Sequence, residues 1–206
     1  SVTANYAVFD IASKRREDFL FNIYRMGKNQ IERGSRDSWT VTPTRIAALQ
    51  EKVTRERATA PGQGNPRMAA ALNPFGGAAP TTYFAELRKP ADRDPRGYVL
   101  PSDQPDFQTA AKFMTALRKV NVTVHRATGA FTAGGKQYPA GSFVVKTAQP
   151  FRAHVLDMFE PQDHPNDFAY PGGPPKPPYD AAGWTLAYQM GVKFDRLLDG
   201  FDCPCQ

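Results

Sequence analysis

Apolar positions spaced three and four apart mark the first helices of this chain. In FDIASKRREDFLFNIYRMGKNQIERG, residues Phe19, Leu20, Ile23, Tyr24, Gly27 and Ile31 fall at that spacing, which predicts a helix with one buried face. Ser13 is its expected N-cap, Glu17 and Asp18 suit its first turn, and Gly34 its end. A second helix is predicted by VTPTRIAALQEKVTRERA, with Thr42 as cap, Pro43 in the first position and Ile46, Leu49 and Val53 along one side. From Thr59 to Pro80 the periodicity disappears into Gly, Pro and Ala, and this stretch reads as a flexible surface linker.

Order returns in the second half with a change of period. GYVLP is a short apolar run suited to a strand, Ser102-Asp103 a turn, and Phe107, Ala110, Ala111, Phe113, Met114 and Leu117 a helical face. VTVHRA alternates, and a Gly-Gly turn separates FTA from KQYPAGSFVVK, so further strands and a hairpin are predicted. QPFRAHVLDMFE predicts a helix from near Pro150 that Pro161 ends. WTLAYQMGVKFDRLLDGF predicts a last helix with Leu186, Met190, Phe194 and Leu197 on one side. The order defines an α/β fold: a small mixed sheet with flanking helices, an N-terminal helical arm and a Pro-rich strap over residues 161–183. Three segments are expected. They are a helical segment at 1–58 that could close a preceding domain, a linker at 59–82, and an α/β accessory domain at 83–206.

Composition narrows the classes. At 206 residues, 41% hydrophobic and 12% aromatic, the chain can bury a core, while 19 Pro and 16 Gly require long connections. The net charge of +6 arises from 26 basic and 20 acidic residues that are interspersed, which argues against a nucleic-acid surface. No apolar run is long enough to span a membrane, and no partner of that kind is expected. The cysteines of Cys203-Pro204-Cys205 are expected to be unpaired, because a bridge two residues apart is constrained and two thiolates are half a zinc site.

Candidate chemistry concentrates in HVLDMFEPQDH. His154, Asp157 and Glu160 could share a helix face, with Asp163 and His164 just beyond it, so His154, Asp157 and His164 are the candidate metal ligands. Val155, Leu156, Met158 and Phe159 interleave with them as in an ordinary amphipathic helix, and Pro161 directs His164 elsewhere. The expected role of His154 is therefore local, with no metal in this chain. His125 sits in an alternating strand, where packing or exposure accounts for it, and no nucleophile motif or Cys-x-x-Cys pair occurs. In the strap, Phe168, Tyr170, Tyr179 and Trp184 are candidate binding residues for a peptide, a glycan or a partner chain. The competing expectation is that these rings anchor an ordered strap, with Trp184 pinning it to the core.

Three long phrases carry a resemblance: NYAVFDIASKRREDFLFNIYRMGKNQIERGSRDSWTVTPTRI, DPRGYVLPSDQPDFQTAAKFMTALRKVNVTVHRA, and AGSFVVKTAQPFRAHVLDMFEPQDHPND through PPYDAAGWTLAYQMGVKFDRLLDGFD. They resemble the region downstream of the zinc-binding motifs in large secreted bacterial members of the carboxypeptidase A-like zinc metallopeptidase family. That family holds zinc with a His-x-x-Glu pair and a more distant His, all upstream of this region, with a glutamate as general base. This chain has no His-x-x-Glu, and His154-Val-Leu-Asp157 lies too far downstream to take the ligand role. The resemblance implies a non-catalytic accessory region that supports or covers the peptidase cleft and is inactive alone. It further implies zinc in an upstream peptidase domain as the main partner, a peptide as substrate, and a secreted or periplasmic location.

Overall fold

The computed structural model describes residues 2–59, 81–162, 167–177 and 185–206. Two compact units arise. One comprises residues 1–37, 95–161 and 183–206, the other residues 38–94 and 162–182. The helical segment expected over 1–58 is thus divided between them, and residues 60–80 of the expected linker lie outside the described residues.

The first unit is an α/β layer structure. Strands β1 (Gly97–Leu100), β2 (His125–Arg126), β5 (Phe143–Lys146) and β6 (Asp195–Leu197) form a sheet in the order β2-β5-β1-β6. Strands β3 (Phe131–Ala133) and β4 (Lys136–Tyr138) form a separate hairpin across the Gly134-Gly135 turn. Every ladder among the described residues is antiparallel, so the small sheet of this α/β fold is an antiparallel one and not mixed. The central strand reads as a continuous apolar run because both of its faces are covered. On one face Tyr98, Leu100 and Val145 pack with Phe113, Met114 and Leu117 of a helix at Phe107–Lys119 and with Val155 and Phe159 of one at Arg152–Phe159. On the other, Val99 and Val144 pack with Phe131, Ala133 and Tyr138 of the hairpin. Each large apolar side chain buried this way contributes about 1.5–3 kcal/mol. The helix at Phe107–Lys119 is capped by Asp106, which accepts from the Thr109 amide at 2.9 Å and whose carboxyl is held below its usual range by the Thr109 hydroxyl and amide.

Several expectations give way here. Helices α1 (Val2–Lys14) and α2 (Arg16–Gly34) meet at Arg15, so Ser13 lies inside α1 and is not a cap. The expected buried face of α2 is exposed: Phe19, Leu20, Ile23, Tyr24 and Ile31 all face solvent, with Ile23 at 65%. Only the last part of α2 touches the core. A Cβ on Gly27 would sit 3.5 Å from Pro150, whereas one on Gly34 would overlap the Thr147 carbonyl and the Ala148 nitrogen, so only glycine fits there. Arg96 ties down that end, donating from Nε to the Gly34 carbonyl at 2.8 Å and from Nη2 to that of Ser35 at 2.6 Å.

The predicted last helix is also replaced. Leu186–Gln189 forms one turn, Gly191 adopts φ +64°, and the Val192 amide closes on the Ala187 carbonyl at 2.9 Å. The chain then extends as β6, in register with Gly97, Tyr98 and Val99. Leu186, Met190, Phe194 and Leu197 do carry helical spacing, but the left-handed glycine ends the helix, and pairing with β1 holds Asp195–Leu197 as a strand.

Cys203 and Cys205 are disulfide-bonded, contrary to the unpaired expectation. Residues 204–206 lie along β2, with Arg126 and Gln206 exchanging amide bonds at 2.9 and 3.1 Å. This pairing places the two cysteine Cα atoms 5.2 Å apart, within bonding range.

In the second unit, Pro43–Thr59 forms α3, with Thr42 Oγ1 accepting from the Arg45 amide at 3.3 Å as the capping reading requires. Leu49 and Val53 are buried and Ile46 is exposed. Asp94, nearly buried, accepts from the Thr40 amide at 2.8 Å and from the Ser38 and Thr40 hydroxyls at 3.1 Å. Lys52 and Lys89 both reach Glu86, at 2.9 and 2.8 Å.

Candidate functional site

The extended backbone at the end of the Arg152–Phe159 helix creates a polar cluster in the first unit. Pro161 disfavours a helical conformation at the residue before it, and Glu160 accordingly sits at φ −86°, ψ 145°. Its carboxylate accepts from the Tyr98 hydroxyl at 2.7 Å and from Arg196 Nε at 2.9 and 3.2 Å, while its carbonyl accepts from the Thr185 hydroxyl at 3.0 Å. Tyr98 is wholly buried, and its phenol is pushed well above the usual tyrosine range, first by burial and then by the Glu160 charge.

A cleft of about 840 Å³ opens beside this cluster. Phe159 and Phe194 meet edge-to-face at 5.0 Å, and Tyr188 stands edge-on to Phe194 at 5.5 Å, so the cleft has an aromatic side. Its polar side carries Lys193 and the Lys136–Asp195 pair, closed at 2.6 Å. Gln104 accepts from the Lys193 amide at 3.0 Å and donates to the Pro101 carbonyl at 2.9 Å, which fixes the rim. Glu160 has two donors and Asp195 has Lys136, so these carboxylates are committed to structure. The geometry suits binding of a polar ligand with an apolar face better than proton transfer.

Of the candidate metal residues, His154 and Asp157 are described and point to different surroundings. His154 is half-buried in a second cavity of about 760 Å³, where α2 meets the Arg152–Phe159 helix beside Arg33, Arg36 and Phe151. Asp157 is exposed, and its carbonyl accepts from the Thr185 amide at 2.9 Å. Glu160, which the spacing aligned with them, is held by Tyr98 and Arg196. His164 lies outside the described residues, as does Asp163. Among the described residues no three His, Cys, Asp or Glu side chains converge as a metal site requires.

Of the strap candidates, Tyr179 and Trp184 lie outside the described residues. Phe168 and Tyr170 are exposed, Tyr170 at 63%, so neither is a buried anchor. They belong to a small loop in which Phe168 bridges Pro175, Gly173 donates to the Tyr170 carbonyl at 2.8 Å, and Lys176 pairs with Asp167 at 3.1 Å. The Tyr98–Glu160–Arg196 cluster carried no local sequence signal except Pro161 after Glu160.

Together these features define a small α/β unit with a mixed-charge aromatic cleft and an uncovered helical face. In comparisons, no family model, no curated protein and no solved structure matches the chain.

Proposed function

We propose that this chain is a non-catalytic accessory region of a zinc metallocarboxypeptidase-like protein, supporting or covering the peptidase cleft. The observation that carries the reading is the uncovered apolar surface of α1 and α2, where Tyr6, Phe9, Phe19, Leu20, Ile23 and Tyr24 are all exposed. So large an apolar surface on two consecutive helices is typical of an element that another folded body covers. In this reading that body is the upstream peptidase domain. It holds the zinc, takes the peptide substrate and places the whole protein outside the cytoplasm, while this chain alone cleaves nothing.

Co-expression with that peptidase region provides the test. The two are expected to co-elute, and Phe19→Glu with Ile23→Glu to separate them. Saturable, chelator-sensitive peptide cleavage by this chain alone would overturn the proposal, as would absence of any association. A second reading, a binding module for a peptide, a glycan or a partner chain, is favoured by the exposed rings of Phe168 and Tyr170. Loss of ligand retention on an immobilised glycan or peptide array after Tyr170→Ala would support it.

A further inference from the structure

We propose that the Cys203–Cys205 disulfide is a reversible thiol–disulfide exchange site whose reduction loosens residues 204–206 from the edge of the sheet. This role is independent of the accessory-region reading.

The bond adds little to the stability of the fold. A cross-link stabilises a protein mainly by shortening loops in the unfolded chain, an effect that grows with the logarithm of the loop enclosed. This bond encloses a single residue, Pro204, so it removes very little unfolded-chain freedom. A disulfide that contributes little to folding is correspondingly easy to open, since resistance to cellular thiols comes from the native stability a bond confers.

Its position gives the opening a consequence. β2 is an edge strand, and residues 204–206 cover it through the Arg126–Gln206 amide exchange and the Thr128 amide donated to the Pro204 carbonyl at 2.7 Å. Both cysteines pack, half-buried, against the cluster of Val99, Ala127, Tyr138 and Val144, beside Phe201. The chain bends at Pro204, and these Cα atoms lie 5.2 Å apart where two residues of a regular strand span about 6.6 Å. Opening the bond lets the segment lengthen, and the positions of Phe201 and Cys203 relative to the β2 pairing then shift together. Pro204 has no amide to add a bond in compensation.

The chemistry balances with a low-molecular-weight thiol as reductant. Its thiolate attacks one sulfur and forms a mixed disulfide, and the other sulfur leaves as a thiolate that takes a proton. A second thiol then resolves the mixed disulfide, giving two cysteine thiols and one oxidised low-molecular-weight disulfide.

The test uses the folded chain in reduced glutathione without denaturant, with alkylation and mass measurement to count thiols and amide hydrogen exchange to follow structure. Two free thiols are expected, returning to the disulfide in oxidised glutathione. The amides of Arg126, Thr128 and Gln206 are expected to exchange about tenfold faster when reduced, with Val99 unchanged. The double variant Cys203→Ser, Cys205→Ser is expected to show the fast exchange whatever the glutathione state. A bond that opens only after the protein is unfolded in urea would overturn the proposal. So would a reduced form, or a double variant, with unaltered exchange at those three amides.

Discussion

Replacing Tyr98 with Phe removes one hydroxyl and leaves its ring stacked on Phe159 at 4.1 Å, so the cost isolates a single interaction. The hydroxyl donates at 2.7 Å to the Glu160 carboxylate from a fully buried side chain. Hydrogen bonds to charged groups contribute about 1.5–3 kcal/mol, and Arg196 still satisfies Glu160 after the change, so the low end applies, about 1.5 kcal/mol. Arg196→Met should cost less, about 0.5–1 kcal/mol, because the Arg196 side chain is 35% exposed and its ion pair is solvated. Glu160→Leu should cost most, about 3 kcal/mol, since it strands the buried phenol and removes the ion pair to Arg196 together. Urea unfolding monitored by circular dichroism supplies the ranking, with an unchanged slope confirming that only stability has moved. A larger loss for Arg196→Met than for Tyr98→Phe would refute the reasoning. The pH dependence adds a signed check. The folded state holds the Tyr98 proton more tightly than the unfolded chain, so the associated stability is complete below about pH 10 and declines as the pH rises past it. The gap between wild type and Tyr98→Phe should therefore shrink in that range. Tyr138, pushed up to about 12 chiefly by burial and then by Asp195, adds a loss common to both proteins.

Gly34→Ala places a methyl group on the Thr147 carbonyl and should cost at least about 2 kcal/mol, while Gly27→Ala meets only ordinary contact with Pro150 and should gain about 0.5–1 kcal/mol of helix stability; thermal melts separate the two. In the second unit, Asp94→Ala removes the acceptor for the Thr40 amide and two hydroxyls and should lose roughly 2–3 kcal/mol, seen as faster exchange of the Thr40 amide. Glu86 is lowered to about 2, first by Lys89 and then by Lys52. The stability it confers is present above about pH 4.5 and lost as the pH falls towards 2, and Lys89→Met should move its titration up towards the usual carboxylate range in carbon-detected NMR. Phe159→Ala, which deletes a ring in contact with Tyr98, Phe113 and Phe194, should cost about 3–5 kcal/mol in the same urea assay.

Local pattern was legible in the sequence wherever it alone decides the structure. The Phe107–Lys119 helix, the apolar strand at Gly97–Leu100, the Gly-Gly hairpin and the Thr42 cap each result from spacing or a single residue's chemistry, and each is present. The misreadings occur where tertiary pairing overrides period. Leu186 to Leu197 has a helical rhythm, yet Asp195–Leu197 gains a ladder with β1, and Gly191 was the signal that the rhythm should stop. The α2 face is apolar as its spacing indicates, but spacing cannot say whether this chain or another body covers it. The Tyr98–Glu160–Arg196 cluster joins residues 62 and 36 positions apart, which no local window contains. His154 and Asp157 lie close in sequence, but their helix leaves one facing α2 and the other exposed.

The one-ended seating of α2 makes it a lever. Its support runs from Gly27 against Pro150 to Gly34 against Thr147, and Arg16 lies about 16 Å beyond the nearer of these points at 1.5 Å per residue. A tilt of about 10° at that fulcrum swings the Arg16 end, where α1 joins, by about 3 Å, more than half a helical turn's rise. A small shift of Pro150 against Gly27 would thus be magnified at the far end into a displacement large enough to break or make a fit.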